Sequence, residues 1–169
     1  RFIGNDQGNL YKCTWGADLK YIGSNPSSYY GAYELKTNEV ANNYSKLIQF
    51  IDTLNHIDNE GFPCFIEESF EVELFLKTLA AEMIIGHWDG YAFNKNNYYL
   101  YRQPSNGKFV FIEYDMDNTF GIDWFGIDWQ VFWDAREETL FKSQSASRNI
   151  RDNLYDVFLD TGTFNYNTL

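Results

Sequence analysis

Gly86-His87-Trp88-Asp89-Gly90-Tyr91-Ala92-Phe93-Asn94-Lys95-Asn96-Asn97 continues as Tyr98-Tyr99-Leu100-Tyr101 and, beyond a turn, as Phe109-Val110-Phe111-Ile112-Glu113-Tyr114-Asp115-Met116-Asp117. Tyr98 to Arg102 and Lys108 to Tyr114 are aromatic and β-branched runs of strand length. Between them, Gln103-Pro104-Ser105-Asn106-Gly107 supplies a proline of fixed φ and an Asn-Gly pair suited to positive φ, so the pattern predicts an antiparallel hairpin. Pairing the two strands brings Asn97, just before the first, to Asp115, just after the second. A loop carboxylate, an amide, a hairpin and two further carboxylates therefore follow one another in the chain.

Phosphoryl transfer gives that order a meaning. A hydroxyl must be held in line with phosphorus while divalent metal bridges the phosphate oxygens, which calls for a loop base and oxygen ligands on rigid supports. Protein kinases use a loop Asp, an Asn about five residues on, a short hairpin and then a metal Asp. Here Asp89 takes the first position. Asn94 has the kinase-like spacing from Asp89, whereas Asn97 has the kinase-like place directly before the strand and is favoured. Asp115 is favoured as the metal carboxylate, with Asp117 a second ligand or an outer partner. Oxygen donors with no thiolate and a single nearby imidazole, His87, suit Mg²⁺ or Mn²⁺ better than zinc.

Several segments together carry a family resemblance. They are Gly8-Asn9-Leu10-Tyr11-Lys12, Tyr33-Glu34-Leu35-Lys36-Thr37, the Trp88-Asp89 loop ending in Asn97-Tyr98-Tyr99-Leu100-Tyr101, and Tyr114-Asp115-Met116-Asp117-Asn118-Thr119-Phe120-Gly121. In this order the chain resembles the spore-coat CotH kinase family. The resemblance implies an atypical secreted or surface-located protein kinase with an α+β, highly diverged protein-kinase-like fold, using ATP with Mg²⁺ or Mn²⁺ to phosphorylate Ser or Thr hydroxyls of coat or surface proteins. It implies a single partial domain over 1–169, with 1–42 on the small-lobe, nucleotide side and 43–169 forming the helical lobe. By position, Asp89 is then the catalytic-loop carboxylate and Asp115 the metal carboxylate, with Asn97 between them. Trp88 stands where kinases carry Arg, and Asp-Met-Asp replaces Asp-Phe-Gly, which leaves Asp115 and Asp117 interchangeable.

A nucleotide site also needs a cation. Lys12 and Lys36 each end a short strand expected at Gly8 to Lys12 and Ala32 to Lys36, from which a lysine can reach the α and β phosphates. Leu47, Phe50, Ile51 and Leu54 give a helix from about Asn43 to Asn55 its apolar face. Asn55 to Pro63 reads as a loop, and Ser69 as the N-cap of a helix to about Ile85, with Val72, Phe75, Leu76, Leu79, Ala80 and Met83 on one stripe and Leu74, Ile84 and Ile85 adding apolar surface elsewhere, so burial on most sides is expected. That helix would fix the Asp89 loop, with His87 bonding backbone at its end. A third helix is expected over Asn149 to Asp160, after a short duplication at Gly121 to Gln130 whose Trp124 and Trp129, with Trp133, would shape a lid or acceptor surface or simply pack together. Both ends of the chain read as those of a fragment.

Composition bounds the alternatives. With 169 residues, 44% of them hydrophobic, the chain can bury an ordinary core, and its longest apolar stretch, Leu74 to Ile85, is broken by Lys77, Thr78 and Glu82, so no membrane span is expected. A net charge of −11 argues against a nucleic-acid partner. Cys13 and Cys64 permit one disulfide, which a secreted chain would favour, although their spacing gives no geometric test. Asn43-Tyr44-Ser45 is formally a glycosylation acceptor. Two other function classes remain. Glu113, Asp115 and Asp117 could serve a carboxylate-dependent hydrolase if the strand ran on past Tyr114. The 13 Tyr and 5 Trp could serve a non-catalytic surface adhesin or carbohydrate-binding module.

Overall fold

The structure, a computed structural model, describes residues 6–87, 89–91 and 95–119. The predicted hairpin forms from β-branched and aromatic residues as β3 (Tyr98–Arg102) and β4 (Phe109–Glu113), with Tyr98 opposite Glu113 and Arg102 opposite Phe109. Two earlier strands, β1 (Leu10–Cys13) and β2 (Tyr33–Leu35), join it. The sheet order is β2-β1-β3-β4, and every pair is antiparallel. The element at residues 10–13 is thus central: it pairs with Tyr33–Leu35 on one side and with Tyr98–Tyr101 on the other.

Strand alternation sets two faces. Tyr11, Cys13, Tyr33, Leu35, Tyr98, Leu100, Phe109 and Phe111 are buried on the core side. Phe111 stacks on Tyr98 at 4.7 Å and meets Phe75 edge-on at 5.1 Å, the geometry aromatic pairs favour. The opposite face carries Glu34, Lys12, Tyr99 and Ile112 in one cross-strand row.

Three α-helices cover the core side. In α1 (Ser45–His56) the expected apolar stripe is buried, together with Ile48. A second helix, α2 (Phe62–Ser69), forms where the sequence predicts a loop and then a helix cap. Its proline lies in the first turn, where a missing N–H costs nothing. Ser69 is its last residue, with Oγ donating to the Phe65 carbonyl, rather than the N-cap of the next helix. The third helix, α3 (Val72–Ile85), is less buried than its composition predicts: Phe75, Leu79 and Glu82 face inward, while Leu74 and Ile84 are exposed. Phe50, Phe70 and Phe109 bind the helices to the sheet edge, and Glu71 N–H donates to the Phe109 carbonyl.

Tyrosines hold the long connection between β1 and β2. Tyr33 hydroxyl accepts from Leu19 N–H at 2.8 Å, Tyr29 hydroxyl accepts from Ile22 N–H and donates to the Gly23 carbonyl, and Tyr98 hydroxyl donates to the Ala17 carbonyl. These three tyrosine hydroxyls therefore satisfy loop backbone. Burial pushes the Tyr11 hydroxyl up to about 12, and those of Tyr33 and Tyr98 well above the usual range. Cys13 and Cys64 are both free, one in the core and the other on the surface of α2, so the disulfide expected of a secreted chain does not form.

Gly8 precedes β1 against the end of β3, where its N–H donates to the Tyr101 hydroxyl at 2.9 Å. A Cβ here would overlap the Arg102 carbonyl oxygen and the Tyr101 ring. Gly8→Ala should lose about 1–3 kcal/mol in urea unfolding, and an unchanged midpoint would rule out this packing.

Candidate functional site

The end of α3 fixes the loop beyond it. Gly86 takes a left-handed conformation (φ 66°), and His87 N–H donates to the Glu82 carbonyl while Gly86 N–H reaches Met83, a helix-ending pattern that glycine favours. His87 is fully buried, with Nδ1 3.3 Å from the Asn118 carbonyl. This ties the loop to the segment after β4. Asp89 comes two residues later, buried at 4% exposure.

Asp89 and Asn97 meet. The Asn97 amide Nδ2 donates to Asp89 Oδ2 at 2.8 Å and to the Asp89 carbonyl at 3.1 Å. Two bonds from one amide fix both the carboxylate and its backbone. Asn97 lies directly before β3, and its own carbonyl accepts from Tyr114 N–H at 3.1 Å. Asp115 is the next residue, so ladder pairing carries it to the same end of the hairpin. Asn97 and Asp115 are left-handed (φ 56° and 62°), as is Lys95 (φ 55°). Asn and Asp tolerate that region better than most residues, and such conformations cluster where geometry serves function.

The other expected residues fall into two groups. Asp115 and Asp117 are exposed, and Asp117 Oδ1 accepts from the Asn118 amide at 3.0 Å. Asn94 lies outside the described residues, as do Trp88, Trp124, Trp129, Trp133, the duplication and the helix expected over 149–160. Among the described residues no three His, Cys, Asp or Glu side chains converge as a metal site. Lys12 is inside β1, with Nζ 4.7 Å from the Tyr114 ring centroid, while Lys36 follows β2 and is ion-paired with Glu34. The hydrogen bond to Glu34 raises the Lys36 ammonium above its usual range. Lys12 is therefore the lysine placed beside the residue that leads into Asp115.

A family model described as CotH kinase protein matches residues 1–164. The chain belongs to the CotH kinase family. Two curated Rhizopus delemar proteins are similar to this CotH domain. Invasin CotH2 is 32% identical over 120 residues, covering 69% of this chain and 20% of its own length; Invasin CotH3 is 29% identical over 132 residues, covering 76% and 22%. The chain spans about a fifth of the length of these relatives.

Within the CotH domain the sequence gives little sign of an acidic pair behind the loop. Glu82, on the inward face of α3, neighbours Glu113 at the end of β4, and Glu113 Oε2 lies 3.9 Å from His87 Nε2. Gly90 packs against this group: a Cβ there would come within 2.5 Å of the His87 ring and 3.0 Å of Glu82 Oε2. Because β4 ends at Glu113, its side chain turns into the core while Asp115 and Asp117 are exposed, so the three do not form the single-faced acid row a hydrolase would use. The one signal available in the chain is Glu82 within an apolar stripe, a position that otherwise reads as a solvent break. Lys95 is also absent from the sequence expectations; it is nearly buried, with Nζ 5.5 Å from the Tyr91 ring centroid.

Desolvation, with the neighbouring Glu82 carboxyl, pushes the Glu113 carboxyl from its ordinary 4.5 to about 10. Below 4.5 both folded and unfolded states hold the proton; between 4.5 and 10 the folded state keeps a proton that the unfolded state releases, so stability declines as pH rises across that window. Glu113→Gln, neutral throughout, should flatten the fall in the urea midpoint between about pH 5 and about pH 8. An unaltered slope would contradict a protonated Glu113.

Proposed function

We propose that this CotH domain is part of an atypical protein kinase that transfers the γ-phosphate of ATP to a Ser or Thr hydroxyl of a protein substrate. The observation that carries the reading is the doubly bonded Asp89–Asn97 pair at the end of the hairpin where β4 runs into Asp115. A buried carboxylate held on both its side chain and its backbone suits the task of orienting an acceptor hydroxyl and taking its proton.

The donor set fits a metal that arrives with nucleotide. Mg²⁺ is commonly held by one or two carboxylates plus substrate phosphates and water, and does not require an all-protein cage. Asn97, whose amide nitrogen is committed to Asp89, retains its oxygen for a cation, and Asp115, with Asp117 or Asn94, would supply the remaining protein oxygens. When bound, Mg²⁺ or Mn²⁺ neutralises phosphate charge. Lys12 is the better placed of the two lysines to steady the phosphates, leaving its contact with Tyr114 to do so, while Lys36 stays with Glu34. In this reading residues 1–42 supply the nucleotide side, the fold is a diverged kinase fold, and the protein works outside the cell or at its surface on coat or surface proteins. No helix among the described residues is long and apolar enough to cross a membrane.

A second reading is a surface binding module that keeps the kinase frame without catalysis. Its support is the name that both relatives carry, invasin. Thermal shift separates the two. A kinase is stabilised by ATP only with Mg²⁺ or Mn²⁺, and Asp115→Ala removes the effect; at a ligand concentration about 100-fold above Kd the gain is about 2.7 kcal/mol. No shift in the folded protein would move the binding-module reading to first place.

A further inference from the structure

We propose that Asn43 carries an N-linked glycan whose first sugars lie in the groove beside α1. The inference rests on the surface location proposed above, and not on phosphotransfer. Asn43-Tyr44-Ser45 is an acceptor triplet, whereas Asn25-Pro26-Ser27 is excluded by its proline.

The fold presents this triplet as an acceptor needs to be presented. Asn43 and Ser45 are exposed, while Tyr44 between them is buried and anchored by its hydroxyl, which donates to the Tyr33 carbonyl and accepts from Leu35 N–H. The Asn43 carbonyl accepts from the Asn9 amide at 3.0 Å and from the Tyr11 hydroxyl at 3.2 Å. Its side-chain Oδ1 accepts from Ser45 N–H at 2.9 Å. Nδ2 has no partner among the described residues. Attachment uses only that atom: Nδ2 bonds to the anomeric carbon of a polyprenyl-pyrophosphate oligosaccharide, the pyrophosphate leaves, and one amide proton is released. Oδ1 is untouched, so the turn onto α1 survives modification.

The neighbouring surface suits a neutral polyol. A groove of about 550 Å³ borders Asn43, lined among others by Tyr21, Pro26, Gln49 and Asp52. That volume falls in the roughly 300–1,000 Å³ range of small-ligand sites. Its walls offer an aromatic face, amides and a carboxylate, with Lys46 Nζ on Gln49 Oε1 at 3.1 Å and His56 Nδ1 on Asp52 Oδ1 at 2.8 Å, a set that hydrogen-bonds sugar hydroxyls and packs on their C–H faces.

The test uses the full chain secreted from a eukaryotic host. Glycopeptide mapping should find Asn43 occupied, and Ser45→Ala should abolish occupancy while keeping the backbone N–H that Asn43 Oδ1 accepts from. An unmodified Asn43 in the secreted wild type would overturn the proposal. For the groove, wild type should melt above Ser45→Ala, and Tyr21→Ala should erase that difference; an equal difference in the Tyr21→Ala background would overturn the sugar placement. ATP with Mg²⁺ is titrated on the same samples. Loss of that response alone sinks the kinase reading and leaves Asn43 standing.

Discussion

Asp89→Asn is expected to lower the rate of phosphate transfer by about 10²–10⁴, the contribution typical of a positioned general base. The substitution keeps an oxygen to accept from the Asn97 amide, a bond that now spans 2.8 Å, so the loop should hold its shape while the carboxylate is lost. Stabilisation by ATP with Mg²⁺ should persist, because Asp89 is assigned to the acceptor and not to the metal. That split is the informative part. A variant with full activity would remove Asp89 from the chemistry, and one that loses nucleotide stabilisation in parallel with rate would make it a metal or structural residue. Asp115→Ala should behave oppositely, with nucleotide stabilisation lost first.

Phe111→Ala should cost about 3–5 kcal/mol, the range for removing a buried aromatic ring. Phe111 is 2% exposed and contacts Tyr98, Phe75 and Tyr91, so its ring joins β3, α3 and the loop beyond Asp89 in one packed cluster. The Tyr98 ring is held by its hydroxyl's bond to the Ala17 carbonyl, which limits how far the cavity can collapse. Chemical unfolding with matched m-values measures the loss. Ile84→Ala is the control: at 81% exposure it should change stability by less than about 0.5 kcal/mol. A small effect at Phe111 alongside a large one at Ile84 would mean that the core has been placed on the wrong face of α3.

The hairpin that frames the candidate site was readable because its signals are local. Pro104 and Asn106-Gly107 determine a turn between two strand-forming runs, and a turn imposes the register that carries Asp115 to Asn97. The apolar spacing in α1 reports its buried face for the same reason. The bond from Asn97 to Asp89 has no counterpart in the sequence reading, which places Asn97 as a metal ligand. Local signals failed at α2, where a proline and a glycine read as loop although Phe62 and Ile66 bury an inward face and the proline sits in the first turn. At α3 the stripe signal holds for Phe75 and Leu79, which are buried, but the expected burial of the other sides fails: Leu74 and Ile84 are exposed while Glu82 is buried.

By itself the sequence determined the α+β class, the hairpin, the stripe of α1 and the order of Asp89, Asn97 and Asp115, all through turn chemistry and periodicities that act over a few residues. Tertiary structure alone decided that Leu10–Cys13 enters the sheet between Tyr33–Leu35 and Tyr98–Arg102, that tyrosine hydroxyls satisfy the backbone of the β1–β2 connection, and that Glu82 and Glu113 meet beneath His87. The physical reason is range: pairing of residues some ninety positions apart, and the burial of a carboxyl beside another, depend on which surfaces exclude water together, and no window of local sequence contains both partners.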